Sequence, residues 1–361
     1  MTLALRLAEQ GLYTTQPNPR VGCVIVKCNQ IIGQGTHLKA GEPHAEVFAL
    51  REAGVNAKDA DVYVTLEPCN HHGRTPPCVD ALISSGVKRV VVAMQDPNPL
   101  VAGNGIKRLK EQGIEVEVGL LGQQANALNL GYISRMTGGL PYVRCKVAAS
   151  LDGRTALRNG KSMWITGESA RLDVQHWRAQ SCAIVTGIGT VITDNPTMNV
   201  RLGNASRQPL RVIVDSKLQI PFDCNMLNPE LLSTSPVLVV YAHDASNKIT
   251  SLSATGAQLL HLPNKDGRID LNALLINLAS RGVNEVLLEA GPGLNGGFLQ
   301  AGLIDEFIFY YAPKLMGIDA KGMFTIPELT EMKQSIDLQI LEARQIGHDI
   351  RLRAKLVKPN A

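Results

Sequence analysis

Pro43-His44-Ala45-Glu46, then Glu67-Pro68-Cys69, then Thr75-Pro76-Pro77-Cys78, stand beside short β-rich runs early in the chain, and their reading decides what that region is. His44, Cys69 and Cys78 are three ligands of the softness zinc prefers, and three protein ligands with an open fourth position make a catalytic zinc site. Glu46, two residues past the histidine, is left free to handle protons. His44 follows Pro43 at an expected helix start, Cys69 lies just past a strand, and Cys78 follows Pro76-Pro77 before the helical run Val79 to Ser85. A helix N-terminus favours thiolate, so Cys78 is expected to deprotonate readily. The alternative is a structural zinc site with His71 or His72 as a fourth ligand, or a zinc-stabilised binding protein; neither gives Glu46 a task.

Outward from this cluster, Val21 to Val26, Asp61 to Thr65, Arg89 to Ala93 and Glu115 to Val118 read as strands between helix candidates. Such alternation predicts a parallel or mixed sheet covered by helices. A helix is expected from about Gln123 to Arg135, and the Gly138-Gly139-Leu140-Pro141 punctuation after it sets a domain boundary, giving 1–140 and 141–361. The length of 361 residues suits two domains. Beyond the boundary, Tyr142 to Ala149, Ala183 to Thr186, Arg211 to Val214, Val237 to Tyr241 and Glu285 to Leu288 read as strands, with helices at Glu168 to Gln180 and Leu271 to Ala279. Glu306 to Ala312, Gln339 to Arg344 and Asp349 to Val357 follow without a strong helix between them, which predicts an antiparallel edge.

Composition excludes several function classes. Aromatic residues make up only 4% of the chain, too little for the stacking platforms of single-strand nucleic-acid binders. A net charge of +4 without a basic stripe suits an anionic small molecule, not a nucleic acid. Seven scattered cysteines, two of them in the zinc pattern, point to a reducing compartment. The N-terminal residues have amphipathic spacing, with Arg6 and Glu9 where a signal peptide needs an apolar run. No run approaches the roughly 18 apolar residues of a membrane span, so no membrane association and a cytoplasmic location are expected.

The sharpest signal of the second half is Glu285 to Phe298, where a strand enters the turn Gly291-Pro292-Gly293-Leu294-Asn295-Gly296-Gly297 and then a helix. Such a turn can present backbone N–H groups to a phosphate. A plain tight turn carries equal weight. The Rossmann pattern, Gly-x-Gly-x-x-Gly after the first strand and an acid on the second, is absent.

Zinc deaminases of amino-pyrimidines divide labour as the first cluster does, with a metal that acidifies water and a non-ligand glutamate that moves the proton. Those acting on nucleic acids or free cytidine carry Pro-Cys-x-x-Cys, whereas here eight residues, Asn70 to Pro77, separate the cysteines. The segment Thr65 to Cys78, with Pro17-Asn18-Pro19-x-Val21-Gly22 upstream and Gln95-Asp96-Pro97-Asn98-Pro99 downstream, resembles the bifunctional bacterial riboflavin-biosynthesis deaminase/reductase family. Lys146 to Thr155 and Trp164-Ile165-Thr166 resemble the opening of that family's reductase domain, and the likeness covers nearly the whole chain. Against its relatives the chain opens slightly late, so a short first helix is expected.

The resemblance implies an α/β protein with an N-terminal cytidine-deaminase-like three-layer α/β/α domain and a C-terminal dihydrofolate-reductase-like α/β domain. It implies Zn2+ and NADPH as cofactors, a small phosphorylated pyrimidine as substrate, and a homo-oligomer. Asn18, His71 and Arg74 would meet the deaminase substrate, although a turn or loop role explains each equally well. Ala148, Trp164, Thr190, Asp194, Ser216 and the turn Gly291 to Gly297 would contact NADPH. Ser162, Arg178, Arg201 and Glu289 would hold the ribosylamino-pyrimidine phosphate, with the two arginines able to pair a phosphate bidentately. Lys146 is a further candidate beside the hydride-transfer centre, or else a surface lysine.

Overall fold

The computed structural model describes residues 1–71, 76–99, 101–203, 205–244 and 247–357. The chain divides into two units, Met1–Leu140 and Pro141–Ala361.

In the first unit, strands β1 (Gly22–Lys27), β2 (Gln30–Thr36), β3 (Asp61–Val64), β4 (Arg89–Val92) and β5 (Glu115–Val118) form one sheet in the order β2-β1-β3-β4-β5. It is mixed: β1 is antiparallel to both neighbours, and β3, β4 and β5 are parallel. Its helices are α1 (Thr2–Glu9), α2 (Ala45–Ala53), α3 (Cys78–Ser84), α4 (Asn104–Glu111), α5 (Gly122–Leu128) and α6 (Leu130–Gly138). The helix expected over Gln123 to Arg135 is thus two helices. Asn129 stands between them, its Oδ1 accepting from Arg20 N–H at 2.8 Å and its Nδ2 donating to Arg20 O at 3.0 Å. Pairing with another segment's backbone takes Asn129 out of the helical path.

Strand β2 escaped the sequence reading because Gly33 and Gly35 break its β character. Those glycines are there for packing. A Cβ on Gly35 would lie 1.9 Å from Ala45 O, and one on Gly22 would lie 2.0 Å from Ala4 O. Gly22 pairs with Thr36, next to Gly35, and successive strand residues face opposite sides, so α1 and α2 press on opposite faces of the sheet. This close approach seats the first turn of α2. Gly35→Ala is therefore expected to destabilise the first unit by about 1–3 kcal/mol through overpacking against backbone that cannot yield. Urea unfolding reads the effect, and a wild-type midpoint would contradict it.

The second unit is built on nine strands in the order β10-β9-β8-β7-β11-β6-β12-β14-β13. They are β6 (Tyr142–Ser150), β7 (Ala183–Gly187), β8 (Leu210–Val214), β9 (Val237–Tyr241), β10 (Gln258–His261), β11 (Glu285–Leu288), β12 (Glu306–Ala312), β13 (Leu338–Ile346) and β14 (Asp349–Leu356). The helices are α7 (Glu168–Gln180), α8 (Ile188–Asp194), α9 (Pro229–Thr234), α10 (Ile249–Ala254), α11 (Leu271–Ser280) and α12 (Pro292–Gln300). From β10 to β12 neighbouring strands are parallel, and β14 and β13 close the sheet as the expected antiparallel edge. Ile184, Ile213, Leu287 and Ile308 are buried at the centre of one core under α7. Among the described residues no helix is long and apolar enough to cross a membrane.

Candidate active sites

The end of β3 and the starts of α2 and α3 bring His44, Cys69 and Cys78 together. His44 caps α2 and Cys78 opens α3. Their ligand atoms all lie within 4.8 Å of one another, with His44 Nδ1 at 3.2 Å from Cys78 Sγ and 3.5 Å from Cys69 Sγ. Two thiols and an imidazole, converging without a fourth ligand among the described residues, fit a zinc ion with an open position. His71 is exposed and outside the cluster, and His72 lies outside the described residues.

Glu46, on the first turn of α2, is 3% exposed, and its Oε2 has no hydrogen-bond partner. Burial, reinforced by charge on Cys69, pushes its carboxyl up to about 7. Hydrogen bonding from Cys78 draws Cys69 down to about 4; the same contact, with burial, pushes Cys78 up. Cys69 Sγ also accepts the Cys78 backbone N–H at 3.3 Å.

Two residues that the sequence reading left without a role support this site. Glu67 is buried and its carboxylate accepts four backbone N–H groups, from Asp96, Gly103, Gly105 and Ile106, at 2.9 to 3.2 Å. It thereby ties the segment beginning at Asp96, and the start of α4, to the strand end that carries Cys69. His37, 2% exposed, lies edge-on to the His44 ring at 5.2 Å between centroids. Its Nδ1 is 3.2 Å from Pro43 O, an acceptor only, so Nδ1 carries the proton and Nε2 accepts from Asn18 Nδ2 at 3.0 Å. Asn18 is thus half-buried with a fixed amide orientation. Arg74 lies outside the described residues.

In the second unit a cavity of about 980 Å³ is lined by Ala148, Ser162, Trp164, Arg178, Thr190, Asp194, Arg201, Ser216 and Glu289, together with Gly291 to Leu294 and Gly297. Asn295 and Gly296 are not among its lining residues. Asn295 is buried and donates to Ala290 O at 3.1 Å, and a Cβ on Gly296 would lie 2.0 Å from Thr325 O. No glycine of this turn has a left-handed φ. Gly291 caps α12 and the other three glycines lie within it; Gly293 faces open space, which leaves the first turn of the helix open to an approaching ligand.

Glu289 and Arg178, both expected to hold the phosphate, pair with each other. Arg178 Nε and Nη2 donate to the two Glu289 oxygens at 2.6 and 3.0 Å, and Nη1 donates to Asn199 O at 3.2 Å. Its fork is filled by the protein. Lys146 Nζ lies 3.7 Å from Glu289 Oε2. Burial alone would raise the Glu289 carboxyl, but Arg178 and Lys146 hold it below its ordinary value; burial draws Lys146 down. Arg201 is exposed and reaches the cavity, with Nη1 on Thr197 Oγ1 at 2.9 Å and Asn199 Oδ1 at 3.2 Å. Ser162 Oγ donates to Asp194 Oδ1 at 2.9 Å, and Trp164, 64% exposed, lies under the Arg171 guanidinium at 4.7 Å.

A mixed sheet with a three-ligand zinc site, followed by a largely parallel sheet with a glycine-lined cavity, defines a bifunctional enzyme: a zinc-dependent deaminase joined to a reductase. Residues 1–94 match the cytidine and deoxycytidylate deaminase zinc-binding region, and residues 141–352 match the RibD C-terminal domain. The chain is 47% identical to the riboflavin biosynthesis protein RibD of Escherichia coli K12, covering 97% of this chain and 96% of that one. It is 47% identical to RibD of Bacillus amyloliquefaciens over 98% and 95% of the two chains. RibD of Acinetobacter baumannii superposes with a TM-score of 0.90 at 48% identity, covering 99% of this chain and 97% of that one. The diaminohydroxyphosphoribosylaminopyrimidine deaminase/5-amino-6-(5-phosphoribosylamino)uracil reductase of Thermotoga maritima does so at 0.87 and 31%, with the same coverage. The chain belongs to the RibD family of riboflavin biosynthesis enzymes. Its fold is accordingly a cytidine-deaminase-like domain followed by a dihydrofolate-reductase-like one, and its cofactors are zinc and NADPH.

Proposed function

We propose that Met1–Leu140 hydrolytically deaminates 2,5-diamino-6-(5-phosphoribosylamino)pyrimidin-4(3H)-one and that Pro141–Ala361 reduces the ribosyl group of the product to a ribityl chain. One observation carries the reading: a buried carboxylate with an unpartnered oxygen, Glu46, beside a three-ligand cluster of His44, Cys69 and Cys78. When bound, zinc supplies the Lewis acidity that acidifies a water, and NADPH supplies the hydride. Glu46 accepts one proton of the attacking water at Oε2 and delivers it to the ring nitrogen, then takes the second, hydroxyl proton and delivers it to the amine, which leaves as ammonia. Asn18, held by His37, reads the pyrimidine edge, and His71 contacts the substrate beside it.

In the second unit, Arg201 and Ser162 hold the substrate phosphate. Arg178 orients Glu289, whose oxygens then accept from the ribose hydroxyls, with Lys146 beside the reacting carbon. Ala148, Trp164, Thr190, Asp194, Ser216, Gly291 to Leu294 and Gly297 hold NADPH. A small phosphorylated pyrimidine, in place of a nucleic acid, agrees with the 4% aromatic content, and thiols needed reduced for metal agree with work in the cytoplasm.

Ammonia release and NADPH oxidation, measured on the phosphorylated diaminopyrimidinone with the zinc-loaded full-length protein, test both halves. Ammonia appears first, and NADPH is consumed only as deaminated product forms. No ammonia, or NADPH oxidation independent of that product, overturns the corresponding half.

A further inference from the structure

The cavity of the second unit crosses four neighbouring strands, from Lys146 on β6, past Glu289 beyond β11 and Gly187 of β7, to Val214 and Ser216 at the end of β8. Three strand spacings amount to about 14 Å, a span suited to an extended dinucleotide. One pole holds Lys146, Arg178, Glu289 and Arg201. Between this pole and the β8 side lie four glycines of the lining, Gly187, Gly189, Gly291 and Gly293. On the β8 side the lining includes Val214, Ser216, Arg268 and Ile269.

Arg268 and Lys321 differ from the other cations on this cavity, and of the two Arg268 is the one whose turn adjoins His243, which follows β9 and whose N–H donates to Ser216 O at 2.8 Å. Lys146 and Arg178 pair with Glu289, Arg171 donates to Thr166 O at 2.8 Å, and Arg201 binds Thr197 and Asn199. The Arg268 backbone is anchored: its N–H donates to Asn264 Oδ1 at 2.8 Å and its carbonyl accepts from Asn264 N–H at 2.6 Å. Its exposed guanidinium has no hydrogen bond or ion pair among the described residues. The carboxylates lining the cavity, Asp194 and Glu289, accept from Ser162 and Arg178, and Asp215, next to Ser216, is fully buried, its Oδ2 accepting from Ile220 N–H at 2.8 Å and its Oδ1 without a hydrogen-bond partner.

A pocket selective for NADH places a carboxylate on the adenosine ribose 2′-hydroxyl, whereas an arginine accommodates the 2′-phosphate of NADPH. Besides the hydrogen-bonded Asp194 and Glu289 the cavity lining holds no carboxylate, and it includes the Arg268 guanidinium and the Ser216 hydroxyl. We infer that Arg268, with Ser216 Oγ, reads the 2′-phosphate and makes the reductase selective for NADPH over NADH. The inference rests on the proposed seat of the cofactor in this cavity.

Calorimetric titration of the full-length protein with NADPH, NADH and adenosine 2′,5′-bisphosphate tests it, with Lys265→Ala on the same turn as control. Arg268→Ala is expected to weaken NADPH and the bisphosphate about 10- to 100-fold, the loss of a charge-assisted contact, and to leave NADH unchanged. Arg268→Lys should fall between. Equal weakening of NADPH and NADH, or no weakening of NADPH, overturns the role of Arg268 while leaving the cavity assignment standing. A wild-type protein that binds neither dinucleotide overturns both.

Discussion

Glu46→Gln is expected to lower ammonia release about 100- to 10,000-fold, the range by which a positioned acid–base group accelerates proton transfer. The substitution keeps size and hydrogen-bonding capacity but removes the ability to carry a proton. Glu46 is not one of the three converging ligands, so zinc content should match the wild type. It is buried and its Oε2 has no partner, so the change breaks no contact of that oxygen with the protein. Reduction of separately supplied deaminated product should continue at the wild-type rate. Undiminished ammonia release with zinc in place would remove Glu46 from the reaction and leave the metal cluster a structural device. Zinc loss together with activity would instead make Glu46 part of the metal site. Metal analysis and the two assays on one sample distinguish these outcomes.

The metal cluster was legible because cysteine, histidine and a free glutamate at these spacings have few other uses, and because proline marks the helix starts that carry His44 and Cys78. Parallel strands of branched apolar residues were legible for the same reason of type and period. Glycine misled twice. Gly33 and Gly35 hid β2, since a glycine chosen for backbone contact with α2 looks locally like a strand breaker. In the turn after β11, four glycines look alike in sequence, yet Gly293 faces the cavity and Gly296 packs on Thr325. Long-range polar pairing was invisible. Asn129 leaves its helix to bind Arg20, 109 positions away, and Arg178 meets Glu289 at a separation of 111. The two arginines expected to hold a phosphate both line the cavity, and Arg178 also pairs with Glu289. Glu67 stood in the quoted motif without a role, because only the folded loop shows the four amides it gathers.

Glu289→Gln is expected to destabilise the second unit by about 3–5 kcal/mol, the cost of leaving a buried cation without its partner. Glu289 is 7% exposed and answers Arg178 at 2.6 Å and Lys146 at 3.7 Å. Glutamine can accept one hydrogen bond from Arg178 but cannot offset its charge. Lys146, whose pKa burial already lowers, can shed its proton; Arg178 cannot, and it then also repels Arg201 across the cavity. Urea unfolding of the full chain, followed by a probe in the second unit, reads this loss. A destabilised fold alone would also reduce turnover, so the functional role needs a separate measure. Glu289→Gln at a temperature and substrate concentration where it remains folded should lower kcat for NADPH oxidation, while Arg178→Lys, which keeps the charge beside Glu289, should recover stability and only part of the rate. Inorganic phosphate, an anion that can approach Arg178 and Arg201, should restore stability to Glu289→Gln and not to the wild type. Unchanged unfolding and unchanged turnover in Glu289→Gln would mean that the Arg178–Glu289 pair neither supports this unit nor positions its substrate.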